Sequence, residues 1–151
     1  MASALTLMSF DPGVTTGVVA LRVEEDGIRL IWAGEVLESS PMLLPLQASQ
    51  RTELTDVLIE AEPNAPHHHA GVRRAREVEM AAATEGLTVF RYSPSQWKPA
   101  AKKLILRYPQ ELRSRHVKDA YGIALIHLRG VYARNFPFVK EVSKPWYLPV
   151  G

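Results

Sequence analysis

The chain has 151 residues, 46% of them hydrophobic and 23% charged, which indicates one globular domain spanning residues 1–151 with a core of its own. The absence of cysteine excludes disulfides and thiolate metal sites, and no apolar run or basic leader indicates a membrane span or a signal peptide, so we expect a cytoplasmic protein. The net charge is +2, but residues 1–62 hold 3 Lys/Arg and 10 Asp/Glu whereas residues 63–151 hold 15 and 6, as suits a protein that binds metal with one region and a polyanion with the other.

The start of the chain predicts three antiparallel strands. Apolar residues dominate Leu5–Phe10, and Asp11 ends this strand because an unpaired carboxylate is costly inside a core. A Pro-Gly turn leads into a second apolar strand over Val18–Val23. An Asp-Gly turn then precedes a third strand over Gly27–Val36.

Helices and strands alternate after this meander. The predicted elements are a helix over 40–54, a strand over 56–63, a helix over 70–85, a strand over 88–92, a helix start at 93–98 and a helix over 116–129. Gly86 is typical of a residue that ends a helix. The order predicts an α/β fold, a mixed sheet with helices packed on it.

Acidic residues recur where these elements end. Asp11 ends the first strand, Glu60 lies in the fourth, and Asp119 lies in the first turn of the last helix, three residues after His116. Residues i and i+3 share a helix face, so His116 and Asp119 can point to one place. Carboxylates that meet suit Mg²⁺ or Mn²⁺, and two such ions about 3.5–4 Å apart catalyse phosphodiester hydrolysis. Each acid alone also fits an ordinary turn or surface position, and the spacing leaves Glu60 and Glu62 as alternatives.

Residues 91–118 form a strongly basic stretch, with eight Lys/Arg and one acid, which is typical of a nucleic-acid surface. The candidate DNA contacts in this stretch and at the start of the central helix are Arg73, Arg74, Arg76, Lys98, Lys102, Lys103, Arg107 and Lys118. Tyr92 and Trp97 are candidates for stacking on bases, with core packing as the alternative for Tyr92. His67–His69 predict an exposed loop, with DNA contact as a second interpretation.

Four segments, in order, resemble the RuvC-type Holliday junction resolvases of the RNase H-like nuclease superfamily. They read LTLMSFDPGVTTGVVAL, DVLIEAEP, EVEMAAATEGLTVFRYSPSQWK and RHVKDAYGIALIHL. The resemblance implies an RNase H-like mixed sheet. It also implies that Asp11, Glu60 and Asp119 are catalytic metal ligands and that His116 binds metal or handles a proton. It selects Glu60 over Glu62 and implies two Mg²⁺ or Mn²⁺ ions per site.

The resemblance further implies cleavage of four-way DNA junctions in a bacterial or phage-infected cell. Paired, symmetric cuts require two sites, so we expect a homodimer. Candidate dimer surfaces are the apolar residues of the central helix (Val72, Ala75, Val78, Met80, Ala82) and the segment Phe136–Phe138. The loop EPNAPHHHAG lacks the aromatic that often wedges into the junction, and the stretch before His116 is short, as in a compact phage-encoded relative.

Three other functions are compatible with parts of the sequence. The opening turn also resembles the phosphate loop of actin-like sugar and acetate kinases, which need a second such domain. A DNA-binding module without catalysis would not need all four candidate site residues. Another RNase H-like nuclease, cutting RNA–DNA hybrids or other branched DNA, would have the same metal site. Cleavage assays on a junction, a hybrid and a duplex distinguish these functions.

Overall fold

The computed structural model describes residues 5–24, 27–37, 54–61, 69–104 and 112–131. Its strands are β1 (Leu5–Asp11), β2 (Thr15–Glu24), β3 (Gly27–Leu37), β4 (Leu54–Glu60) and β5 (Thr88–Tyr92). Its helices are α1 (Ala70–Thr84), α2 (Pro94–Leu104) and α3 (Arg115–Val131). The helix predicted over 40–54 falls outside the described residues except for Leu54, which begins β4. No helix in the described part of the chain is both long and apolar enough to cross a bilayer.

The five strands form one mixed sheet in the order β3-β2-β1-β4-β5. The first three pair antiparallel, whereas β1 pairs parallel with β4, and β4 with β5. Parallel strands need a crossover connection, which α1 supplies between β4 and β5. The predicted α/β architecture is confirmed. One consequence is that β1 and β4, which are neighbours, end at the same edge of the sheet.

Helices cover both faces of the sheet. Along β1, Leu7 belongs to a buried cluster that includes Trp97 of α2 and Tyr121 of α3. Met8 and Phe10 belong to a second cluster, which includes the buried alanines of α1. Because successive strand side chains alternate between faces, Asp11 shares the face of Leu7, under α3. The candidate site residues described in the next subsection lie on this face of the sheet.

The helix α1 runs as predicted and ends before Gly86, whose φ of 71° is the left-handed conformation that ends helices. Ala75, Val78 and Ala82 of this helix are buried against the sheet. They therefore belong to the protein's own core, and their prediction as a dimer surface is wrong. Met80 is 71% exposed and stays a candidate for such a contact. Phe136–Phe138 lies outside the described residues.

Candidate metal centre

Two of the predicted acids are brought together by strand pairing. Phe10 of β1 lies opposite Ile59 of β4, so the residues that follow them, Asp11 and Glu60, lie side by side where both strands end. Asp11 is buried and Glu60 is partly buried. The position of both carboxylates thus follows directly from the parallel register.

The third acid comes from α3, which crosses this edge. One carboxylate oxygen each of Asp11, Glu60 and Asp119 lies within 4.8 Å of the other two. The helix begins at Arg115, so Asp119 belongs to its second turn. The sequence had predicted that Asp119 would lie in the first turn. His116 lies in the first turn and donates from Nδ1 to Oδ2 of Asp11 across 3.2 Å. The structure therefore brings all four predicted residues to one place, and the three carboxylates are close enough together to hold a metal ion.

The three carboxylates lie in a partly dehydrated, strongly negative site. Burial, with the charges of Glu60 and Asp119, raises the pKa of Asp11 to about 7, against the lowering effect of the His116 hydrogen bond. Burial also raises the pKa of Glu60 and that of Asp119, and the Lys98 ammonium opposes both shifts. A divalent cation would compensate the negative charge that burial concentrates here. An all-oxygen carboxylate set fits Mg²⁺ or Mn²⁺, so the residues present suit a divalent metal of this kind.

The depth at which α3 docks over Asp11 is set by a glycine of β2. Gly17 lies opposite Asp11 in the β1–β2 register. A Cβ built on Gly17 would lie 2.1 Å from both the carbonyl carbon and the oxygen of His116. Nothing local in the sequence marks Gly17 as a contact with a helix about a hundred residues away.

No protein-family model matches this chain, and no curated protein matches its sequence. Solved structures are similar to it. Thermus thermophilus RuvC in complex with Holliday junction substrate has a TM-score of 0.64 and 23% identity, over 86% of this chain and 95% of that one. Fowlpox virus resolvase with its Holliday junction DNA has a TM-score of 0.60 and 9% identity, over 83% and 99%. The human cytomegalovirus terminase nuclease domain has a TM-score of 0.50 and 13% identity, over 88% and 86%.

This protein has the RNase H-like fold. The resemblance to RuvC-type resolvases that the sequence indicated is confirmed at the level of the fold, and the three solved structures named above cover most of the chain. In this RNase H-like fold, the acids at the ends of β1 and β4 meet the acid of α3.

Most of the predicted DNA contacts that the structure describes are at the surface of this fold. Arg73, Arg76, Lys98 and Lys102 are exposed, and Lys118 is partly exposed. The side chain of Lys103 and all of Arg107 fall outside the described residues. These cations lie on α1 and α2, the helices that border the acids, and on α3.

Arg74 is the exception, and its prediction as a phosphate contact is wrong. Its side chain is 2% exposed, donates from Nη2 to the carbonyl of Leu37 across 3.0 Å and pairs with Glu77. The guanidinium therefore joins α1 to the end of β3. His69, predicted in an exposed loop, is exposed and caps α1 by accepting from the N–H of Gly71. His67 and His68 lie outside the described residues.

The sequence suggested that Trp97 stacks on a base, but the structure buries its ring. It is 2% exposed, and its Nε1 donates to Oε2 of Glu60 across 2.6 Å. Tyr92, the other stacking candidate, is half-buried and donates to Nδ1 of His127 across 2.5 Å. Both aromatic side chains therefore form hydrogen bonds with other side chains of the protein.

A buried polar network on the same face escaped the sequence analysis. His127 of α3 is fully buried and donates from Nε2 to Oδ2 of Asp56 across 3.2 Å. Its Nδ1 accepts from Tyr92, and its ring packs against Phe90 with centroids 4.5 Å apart. The network links α3 to β4 and β5, the strands beside the metal centre. No local pattern pairs Asp56 with a histidine 71 residues away.

A cleft of about 690 Å³ opens next to the acids. Its lining includes Pro12, Glu60, His69, Arg76 and Gln96. Glu60 therefore belongs both to the acidic cluster and to the wall of this cleft.

Proposed function

We propose that this chain is a divalent-metal-dependent endonuclease. The observation that carries the proposal is the convergence of Asp11, Glu60 and Asp119 from three separate elements, with ligand atoms within 4.8 Å of one another. Supporting it, the chain has the fold of RuvC, the fowlpox virus resolvase and the cytomegalovirus terminase nuclease domain. We propose two Mg²⁺ or Mn²⁺ ions per site. When bound, such ions activate water and stabilise the leaving oxygen in phosphodiester hydrolysis.

The acids and the residues around them would have separate roles in metal binding and in cleavage. Asp11, Glu60 and Asp119 supply oxygen ligands. His116 keeps Nδ1 on Asp11, so its Nε2 is the atom left to bind a metal or to pass a proton. Lys98 is exposed, and its charge already acts on Glu60 and Asp119. That charge would also attract the phosphate of a bound strand.

We further propose that the substrate is a four-way DNA junction. RuvC and the fowlpox virus resolvase, both similar in fold, are described in complex with Holliday junctions. The exposed cations of α1 and α2 border the acids from two helices, as backbone contacts to branched DNA require. A junction has two strands to cut at symmetry-related points, so the chain would act as a two-fold homodimer. Sedimentation at micromolar concentration, with and without a junction, tests the dimer.

One alternative is another RNase H-like nuclease, which would act on RNA–DNA hybrids or on other branched DNA. A second alternative is a DNA-binding module without catalytic activity. The deciding experiment compares cleavage of a labelled junction, a hybrid and a linear duplex in Mg²⁺, Mn²⁺ and EDTA. We expect paired cuts in the junction that require metal. Preferred cleavage of the hybrid would replace the junction assignment, and binding without any cleavage would favour the module.

A further inference from the structure

The indole of Trp97 contacts one oxygen of Glu60 from inside the core. The bond spans 2.6 Å from Nε1 to Oε2 and joins the first turns of α2 to the last residue of β4. An indole N–H is a donor only, and when buried it requires an acceptor. The carboxylate provides that acceptor, so the two side chains satisfy each other.

The two side chains differ in how completely they are packed. Trp97 is 2% exposed and belongs to the core cluster that contains Leu58, Leu112 and Tyr121. Its ring has two rotatable bonds, both restricted by close packing. Glu60 has three and lies at the end of a strand, partly exposed. The direction of the N–H is thus fixed by the core, and it is the carboxylate that is held.

We propose that Trp97 is a positioning residue of the metal centre. It holds Oε2 of Glu60 and leaves the carboxylate's other oxygen for the cation shared with Asp11 and Asp119. The inference rests on the proposed metal-dependent function, yet it concerns metal binding, which is measurable without DNA. Groups that orient metal ligands in this way change metal affinity by about 10- to 100-fold when removed.

The test is the affinity for Mn²⁺, measured by calorimetry on the protein without DNA. Trp97→Phe keeps a buried aromatic ring but removes the N–H together with the five-membered ring of the indole. We expect its Kd for Mn²⁺ to rise by about 10-fold or more. The matched control is Trp32→Phe, which makes the same change at a buried tryptophan in the cluster on the opposite face of the sheet, and should leave the Kd unchanged.

Three results would overturn the inference: an unchanged Kd in Trp97→Phe, an equal loss in both variants, or a wild-type protein that binds no Mn²⁺. Cleavage supplies a second readout. Trp97→Phe should need more Mn²⁺ for half-maximal junction cleavage and should recover at saturating Mn²⁺, which a packing defect would not do. If the wild type binds Mn²⁺ but cuts no DNA, the proposed function fails, and the calorimetric comparison still decides the role of Trp97.

A measurement on the wild-type indoles covers the case in which Trp97→Phe folds poorly. In protein labelled with ¹⁵N-tryptophan, the indole N–H signals are assigned with Trp32→Phe and Trp146→Phe. Substoichiometric paramagnetic Mn²⁺ should broaden the Trp97 signal well before that of Trp32. An equally sharp Trp97 signal at saturating Mn²⁺ would contradict the contact with a ligand of the ion.

Discussion

Gly17 of β2 and His116 of α3 meet backbone to backbone, so that a single added methyl group at Gly17 would lie 2.1 Å from the His116 carbonyl. Because the atoms in contact belong to the backbone on both sides, an added Cβ could be accommodated only by moving β2 or α3. Because Gly17 pairs with Asp11 and His116 precedes Asp119 by one turn, this contact fixes how far the acid of the helix lies from the acid of the strand.

Gly17→Ala should therefore damage both stability and the metal centre. Overpacking of this kind costs about 1–3 kcal/mol, and here α3 must lift away from Asp11. We expect a lower Tm by circular dichroism and weaker Mn²⁺ binding by calorimetry. Gly130→Ala in the same helix is the control, because an added Cβ there meets nothing within 4 Å. It should be neutral or slightly stabilising. Equal effects of the two variants would contradict the role assigned to Gly17.

Removing the charge of a metal ligand should abolish cleavage and spare binding. Asp11→Asn and Asp119→Asn keep the shape of the side chain, so we expect loss of junction cleavage with unchanged or tighter junction binding in gel-shift assays. Glu60→Gln should behave in the same way, and Glu62→Gln should be milder. Glu85→Gln, an exposed acid at the end of α1, is the control. Wild-type cleavage by Asp11→Asn would refute the site.

The metal-free protein should lose stability as the pH rises. Burial raises the pKa of Asp11 from 3.8 to about 7 in the folded state. A carboxyl whose folded pKa is raised stabilises the fold fully below its unfolded pKa, near 4, and this contribution disappears as the pH passes through 7. In EDTA, the Tm should fall between pH 5 and 8, and excess Mn²⁺ should restore it at pH 8, since bound carboxylates are charged without penalty.

Asp11→Asn tests the origin of this pH dependence. Asparagine does not titrate, so the variant in EDTA should show a flatter curve of Tm against pH than the wild type, and Mn²⁺ should stabilise it less. Calorimetric scans at half-unit intervals of pH give both quantities. Parallel curves for wild type and variant would mean that other groups cause the pH dependence.

The basic residues of α2 should contact DNA backbone. Lys102→Ala combined with Lys103→Ala should weaken binding of all junction sequences alike. It should also reduce the slope of log K against log salt by about one unit for each phosphate that the variant no longer neutralises. Arg129→Ala, exposed in the last turn of α3, is the control for a general loss of charge. Fluorescence anisotropy across a salt series measures the slope. A slope equal to that of wild type would remove α2 from the interface.

Much of the fold follows from local patterns, and much of the site does not. The strands were predicted from apolar runs bounded by turn residues, because a strand covered on both faces is apolar throughout, and the end of α1 was predicted from Gly86. Asp11 and Glu60 were predictable because each of them ends a strand of one sheet. The contact between Trp97 and Glu60 was not, since it joins residues 37 apart through the direction of two side chains. Arg74 was misassigned by its charge, although it directly precedes Ala75 on the buried stripe that continues to Val78.

The network of His127, Asp56 and Tyr92 has a mechanical consequence for the end of the molecule that carries the three acids. His127 lies eight residues beyond Asp119 on α3, about 12 Å along the axis. Gly17 contacts the first turn of α3 and Asp56 contacts His127, so the helix is held against the sheet at two points. Both contacts oppose sliding of α3 along the sheet and rotation of the helix about its axis. Asp119 lies between these two contacts, so its distance from Asp11 depends on both of them.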